Sequence, residues 1–122
     1  FDRDDNVSYG TINITTGYKF SDFNWILCSF RTNDNTYFCQ AAYHPNGKNV
    51  LFGQMGLGGD SNQWLDNNSA YYKAALWYFN GSTATRKTTK EITLANRTPS
   101  VSVNDNVLKL VAIIGFDYYS EK

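Results

Sequence analysis

Two segments of this chain are apolar on both faces when they are read as extended strands, and they constrain the fold more than any other feature. They cover residues 23–30 and 107–116. Because successive side chains of a strand point to opposite faces, each segment presents two apolar surfaces. The alternating sets are Phe23, Trp25 and Leu27 against Ile26, Cys28 and Phe30, and Leu108, Leu110, Ala112, Ile114 and Phe116 against Val107, Val111 and Ile113.

Strands of this kind need cover on both sides. A two-layer antiparallel sandwich leaves one face of each sheet to water, so a third layer is required. The 122 residues suffice for one domain, residues 1–122, and leave little chain for another layer. A second copy of the chain, packed around a symmetry axis, is the economical source of that layer. A strand at the centre of one well-covered barrel is the alternative.

The remaining pattern indicates an all-β fold. Short alternating segments are separated by Gly, Asn and Asp, which predicts an antiparallel β-sandwich, jelly-roll-like, of about seven to nine strands. The clearest hairpin joins residues 23–30 to residues 37–43 through an Asn- and Asp-rich turn. Residues 69–76 contain helix formers, but the capping box is incomplete and we favour a strand. The other predicted strands are residues 11–15, 49–52, 71–79, 91–95 and 101–103, with Pro45 and Pro99 in turns.

Charge and hydropathy exclude two classes of partner. Eleven basic and eleven acidic residues give a formal charge of zero, so no basic face is available to neutralise phosphates, and we expect no nucleic-acid partner. The longest aliphatic run, residues 110–114, falls far short of the roughly 18 residues that span a bilayer, and we expect no membrane insertion. The aromatic content of 16% indicates a packed domain rather than a disordered chain.

The two cysteines depend on the register of the hairpin. Cys28 faces Cys39 if Asn33 and Asp34 form the turn, whereas a turn centred one residue later places Cys28 opposite Ala41. A disulfide between directly opposed positions tends to be strained, and a free cysteine packs well as a small apolar residue. The sequence therefore favours free thiols and leaves the disulfide open.

Metal and catalytic motifs are weak. His44 is the only histidine and no Gly-x-Ser-x-Gly elbow is present, so His44 is interpreted as a surface turn residue. Oxygen ligands alternate from Asp60 to Asp66, but Trp64 and Leu65 stand where a calcium loop needs an oxygen ligand and a glycine. We expect no metal, no cofactor and no enzymatic activity. A glycosidase, with Asp60 and Asp66 as default carboxylates, is the catalytic alternative.

The longest stretch without strand character, residues 53–68, is the predicted binding loop, since loops of this length are usually functional or disordered. Its second half, with the strand that follows, brings together carboxylates, amides and aromatic rings. Saccharides pair their hydroxyls with such polar groups and their C–H faces with rings. Alternatively, Trp64 plugs the core and the polar residues solvate the loop. The predicted ligand-binding residues are Asp60, Asn62, Gln63, Trp64, Asp66, Tyr71 and Tyr72.

Several of these segments together resemble a known family. Phe23-x-x-Ile26 leads into an apolar strand, the turn reads Arg31-Thr32-Asn33-Asp34-Asn35, and the last strand contains Ile114-Gly115-Phe116. The chain is similar over most of its length to the C-terminal receptor-binding head domains of tailed-bacteriophage fibre and baseplate proteins. The resemblance implies a sandwich that forms a homotrimer at the tip of the virion and binds a host-surface saccharide. It implies no catalytic residues.

The functional prediction follows from the loop and the resemblance. We expect non-enzymatic binding of a bacterial cell-surface saccharide by a homotrimer. The alternative is an extracellular carbohydrate-binding module or lectin domain of a secreted protein, monomeric and disulfide-bonded; a purely structural fibre subunit is a third interpretation. Phe1 stands where an initiator Met would be, and we expect a piece from the C-terminal part of a longer protein.

Overall fold

The computed structural model describes residues 1–5, 7–57, 70–95 and 98–118. This part of the chain is nearly all-β, as predicted, with eight strands and one short 3-10 helix at Phe20–Asp22. The strands are β1 (Thr11–Asn13), β2 (Phe23–Thr32), β3 (Tyr37–Tyr43), β4 (Lys48–Leu57), β5 (Ala70–Asn80), β6 (Thr83–Ala95), β7 (Thr98–Val103) and β8 (Leu108–Tyr118).

The strands form two antiparallel sheets that pack face to face. The large sheet has the order β1-β6-β5-β4, with β7 also paired to β6, and the small sheet has the order β3-β2-β8. Their inner faces share one apolar core, in which the ring of Phe52 lies 4.9 Å from Phe30 and 6.1 Å from Phe79. Trp77 is also fully buried in this core. The described residues are thus consistent with a β-sandwich.

The β2–β3 hairpin has a register between the two that the sequence allowed. Cys28 pairs with Gln40, and Ser29 pairs with Cys39. The turn includes Asn35 with a φ of 63°, a conformation that Asn tolerates better than most residues. Because the two cysteines occupy positions of opposite parity, Cys28 is buried, Cys39 is exposed, and both thiols are free.

A β-bulge changes the predicted alternation of the last strand. The pairing of β2 with β8 shifts between Ser29 and Phe30, which leaves Val111 as an extra residue. Leu110 before the bulge and Ile113 after it therefore both face the core, whereas Ile114 is 55% exposed. The sequence had placed Leu110 and Ile114 on one face, and that assignment is wrong.

Three strand boundaries also differ from the predictions. Residues 53–57, expected in the binding loop, continue β4. β6 begins at Thr83, eight residues before the predicted strand, through a segment rich in threonine and basic residues. Pro99 lies in β7 rather than in a turn, at the edge of the large sheet, where its missing N–H can face away from the paired strand. The prediction of a strand rather than a helix after Ser69 is confirmed.

The outer face of the small sheet is apolar, as the two-faced strands predicted. Ile26, Cys28 and Phe30 of β2 are buried between the sheets. On the opposite side, Trp25 is 37% exposed and Phe116 is 43% exposed. The outer face of the large sheet also exposes aliphatic side chains, but the same part of the sheet carries Lys87 and Lys90.

Candidate functional site

The predicted binding residues are only partly within the described structure. Asp60, Asn62, Gln63, Trp64 and Asp66 lie outside the described residues. Tyr71 and Tyr72 are consecutive residues of β5, so their side chains leave opposite faces of the strand. The structure therefore does not bring these two tyrosines to one surface.

Tyr72 lies on the outer face of the large sheet. Its ring occupies the space that a Cβ at Gly53 would take, so the glycine in β4 makes room for the tyrosine. The sequence analysis had placed this glycine at the start of the binding loop. It instead allows a close contact between neighbouring strands.

Tyr71 belongs to a charged cluster at the inner face. The Nζ of Lys73 lies 4.5 Å from the centre of the Tyr71 ring, 3.6 Å from Asp34 Oδ2 and 3.9 Å from Glu91 Oε2. Burial, followed by the charges of Asp34 and Glu91, raises the pKa of Tyr71. Since the Lys73 side chain is only 5% exposed, this cluster fastens the β2–β3 turn to the large sheet.

A different set of aromatic residues meets at one end of the small sheet. Trp25 of β2 pairs with Tyr43 of β3 on one side and with Phe116 of β8 on the other. The Trp25 ring centre lies 4.8 Å from that of Tyr43 and 6.3 Å from that of Phe116, and the Trp25 and Phe116 rings are parallel to within 5°. We call these three exposed residues the aromatic row.

Three polar side chains next to the aromatic row form a connected hydrogen-bond network, which we call the polar row: Asn24, His44 and Asp117. Asn24 Nδ2 donates to Asp117 Oδ2 at 2.5 Å. Asn24 Oδ1 lies 2.6 Å from His44 Nε2. Because an amide oxygen can only accept, Nε2 of His44 carries the proton in this arrangement.

The two rows are in direct contact. The His44 ring stacks on Tyr43, with centres 4.0 Å apart and planes 9° apart. Ring contacts therefore orient His44, His44 orients the Asn24 amide, and the amide orients the Asp117 carboxylate.

The backbone is unusual at both ends of the polar row. His44 has a φ of 46° and Asp117 has a φ of 60°, both in the left-handed region. Outside glycine this region costs of order 1–3 kcal/mol per residue, and such residues concentrate at binding and catalytic sites. Asp and His are among the residues that occupy it most readily. Asp117 lies near the end of β8, and His44 directly follows β3.

An aromatic cleft of about 170 Å³ lies beside the polar row. Phe23, which lines the cleft, precedes Asn24 in the chain. Its ring centre lies 5.4 Å from that of Tyr118, which follows Asp117 outside the cleft. Tyr18 adds a third ring, 5.9 Å from Phe23. The lining residues are Phe1, Ile14, Thr15, Tyr18, Phe20, Phe23, Ile26, Ile113 and Gly115.

This end of the small sheet can hold a ligand that has both apolar and hydroxyl-bearing surfaces. The rings offer flat apolar contact, and the polar row offers a fixed carboxylate. Within residues 1–5, 7–57, 70–95 and 98–118, no group of three or more His, Cys, Asp or Glu side chains is placed to hold a metal ion. In the same ranges, no helix is long and apolar enough to cross a membrane.

Sequence reasoning missed this site because its parts are far apart in the chain. Trp25 and Phe116 were interpreted only as parts of two-faced strands, and His44 as a surface turn residue. The pairing register of three strands brings them together. The available signal was an aromatic residue next to a polar one near the start of β2, at the end of β3 and near the end of β8.

No family model, curated protein or solved structure matches this chain. The site is therefore interpreted from its own geometry.

Proposed function

We propose that this chain is a non-enzymatic receptor-binding head that recognises a saccharide on the bacterial cell surface, as part of a bacteriophage tail fibre or baseplate tip. In this proposal the protein is a jelly-roll-like homotrimer and the saccharide binds at the aromatic row and the polar row. The observation that carries it is an exposed row of rings that meets, at the stacked rings of Tyr43 and His44, a hydrogen-bond network ending at the Asp117 carboxylate.

The chemistry of the two rows suits a sugar ring. The exposed fractions are 37% for Trp25, 54% for Tyr43 and 43% for Phe116, so each ring keeps accessible surface. Aromatic faces cover the C–H face of a pyranose, and carboxylate and amide groups pair with its hydroxyls. Exposed apolar patches with polar rims are typical of interaction sites.

The trimer would bury the middle of the small sheet's outer face. Between the aromatic row and the Arg31–Tyr37 pair at the other end, this face carries Leu27, Ser29, Cys39, Ala41, Ala112 and Ile114, none of which is charged. We propose that neighbouring copies cover this part, with the aromatic row at its margin. Three weak sites presented together would gain avidity without any new contact.

Binding can be tested with two tyrosines of β3 that are matched in position. Tyr43 and Tyr37 are both 54% exposed on the same face, at opposite ends of the strand. We expect Tyr43→Ala to weaken binding to host cells at least about tenfold, the loss of one good aromatic contact. Tyr37→Ala should bind as the unchanged protein does. Equal binding by both variants would remove the aromatic row from the site.

The loop prediction is tested separately with Trp64→Ala. If that variant folds and alone loses binding, the ligand site lies in the predicted loop rather than at the two rows. If Trp64→Ala binds normally while Tyr43→Ala does not, the rows form the site.

Assembly is measured by sedimentation and by the reactivity of Cys39. We expect a trimer in which a thiol reagent labels Cys39 slowly, and we expect Ile114→Glu to give fast-labelling monomers. Val101→Glu is the control, because Val101 is similarly exposed, at 60% against 55% for Ile114, but lies in the large sheet. A monomer at all concentrations would contradict the fibre-head proposal and favour the secreted lectin.

A further inference from the structure

We propose that the polar row selects saccharides whose contacting unit is uncharged or positively charged, and disfavours units that carry phosphate or carboxylate groups. This inference rests on the proposed saccharide-binding function and specifies its ligand class. It follows from the charge, the orientation and the hydrogen-bonding capacity of Asp117.

Asp117 is the one acidic residue in the two rows. Asp117 contributes a carboxylate. The neighbouring side chains without a formal charge are Trp25, Tyr43, Phe116 and Asn24. Among the residues that the structure describes, no lysine or arginine forms an ion pair with Asp117. The acidic partners in the ion pairs of these residues are Asp4, Asp5, Asp34, Glu91 and Asp105. The carboxylate is also exposed. Its negative charge is therefore available to a ligand.

The carboxylate is held in place rather than free to turn away. Asn24 Nδ2 binds Oδ2 of Asp117, which leaves Oδ1 for a ligand. The amide cannot rotate without losing its contact to His44 Nε2, and the His44 ring is fixed against Tyr43. An approaching ligand thus meets an oriented carboxylate oxygen that is linked to the aromatic row through Asn24, His44 and Tyr43.

An ionised carboxylate only accepts hydrogen bonds. A ligand must therefore bring hydrogens to this position, as sugar hydroxyls and the ammonium group of an amino sugar do. A phosphate or carboxylate brings lone pairs and a like charge. At about 5 Å and the effective dielectric of a protein surface, that repulsion is large enough to change affinity about tenfold.

The discriminating variant is Asp117→Asn, because asparagine tolerates the left-handed backbone at this position and keeps a carbonyl that can accept from Asn24. Asp2→Asn removes an exposed charge elsewhere and serves as the matched control. Binding is measured at one fixed pH, the same for every variant. The probe is an array of bacterial saccharides sorted into neutral, amino-sugar and anionic groups.

We expect the unchanged protein to bind neutral or amino-sugar probes and to bind anionic probes at least about tenfold more weakly. Asp117→Asn should reduce that difference about tenfold, and Asp2→Asn should not. Preferred binding of anionic probes, or a preference unchanged in Asp117→Asn, would overturn this inference while leaving saccharide binding intact. Failure to bind any saccharide or host cell would overturn the proposed function itself.

Discussion

The ring of Phe23 lies directly against the backbone of Gly115, at the end of the small sheet where β2 meets β8. A Cβ placed on Gly115 would sit only 2.7 Å from the Phe23 ring. Asn24 follows Phe23, and Asp117 lies two residues after Gly115. The close contact therefore positions the strand segments that carry the polar row.

We expect Gly115→Ala to lower the free energy of unfolding by about 1–3 kcal/mol, because either the ring or the strand must move to admit the methyl group. Urea denaturation measures the change. Gly10→Ala is the control, since the nearest atom to its added Cβ is Arg86 Nη2 at 3.4 Å and the stability should change little. Equal losses in the two variants would show that the Phe23 contact is not tight.

The side chain of Gln40 in β3 of the small sheet is hydrogen-bonded to the backbone of β4 in the large sheet. Its Nε2 donates to the Leu51 carbonyl at 3.0 Å, and its Oε1 accepts from the Gly53 amide at 3.3 Å. We expect Gln40→Ala to cost about 1–3 kcal/mol by leaving these backbone groups without their partner. Hydrogen exchange at the Gly53 amide should accelerate. Asn49→Ala is the control, because Asn49 lies in β4 with Gly53. In this variant the exchange rate at the Gly53 amide should stay unchanged.

Asp34 makes the free energy of unfolding depend on pH in the acidic range. Hydrogen bonds from Thr32 and Thr36 and the charge of Lys73 lower its pKa from 3.8 to about 2. A carboxyl group whose pKa is lower in the folded than in the unfolded protein stabilises the fold at pH values above its unfolded-state pKa. This contribution is lost as the pH falls toward the folded-state pKa. Urea midpoints should therefore fall between pH 3.8 and about 2. The fall should be shallower in Asp34→Asn; an identical pH profile would contradict this assignment.

The thiols should differ in reactivity. Burial raises the pKa of Cys28, and only the thiolate reacts. In Cys39→Ser we expect no labelling of the native protein and one labelled thiol after unfolding, counted by intact mass. Labelling of the native Cys39→Ser protein would show that β2 opens at Cys28. A disulfide in the unchanged protein would contradict the observed register.

Most of the fold was predictable because alternation of apolar residues is strong in β2, β3, β5 and β8. The first half of β6 was missed because Thr83 to Lys90 buries only Ala84 and Thr89, and a strand that packs so little apolar surface shows no clear period. The end of β4 was missed because Gly53 and Gly56, which make room for tyrosine rings, are typical of loops.

The site was not predictable from the sequence. It depends on three pairing registers and on two left-handed residues, His44 and Asp117, whose backbone conformation no local pattern announced. The bulge at Val111 was not predictable either. It shifts the alternation of inward and outward side chains in the last part of β8 by one position. Residue pattern determines which face of a strand is apolar, but contacts between distant strands determine what meets at its end.

None of the residues in the two rows belongs to the apolar core. Trp25 and Tyr43 are the chain neighbours of Ile26 and Ala42, the nearest core residues of β2 and β3. Under the proposed function, substitutions of Trp25, Tyr43 and Phe116 would therefore change recognition without removing a residue from the apolar core. In that proposal, a lineage built on this scaffold follows a changing target by exchanging three side chains at one end of the small sheet.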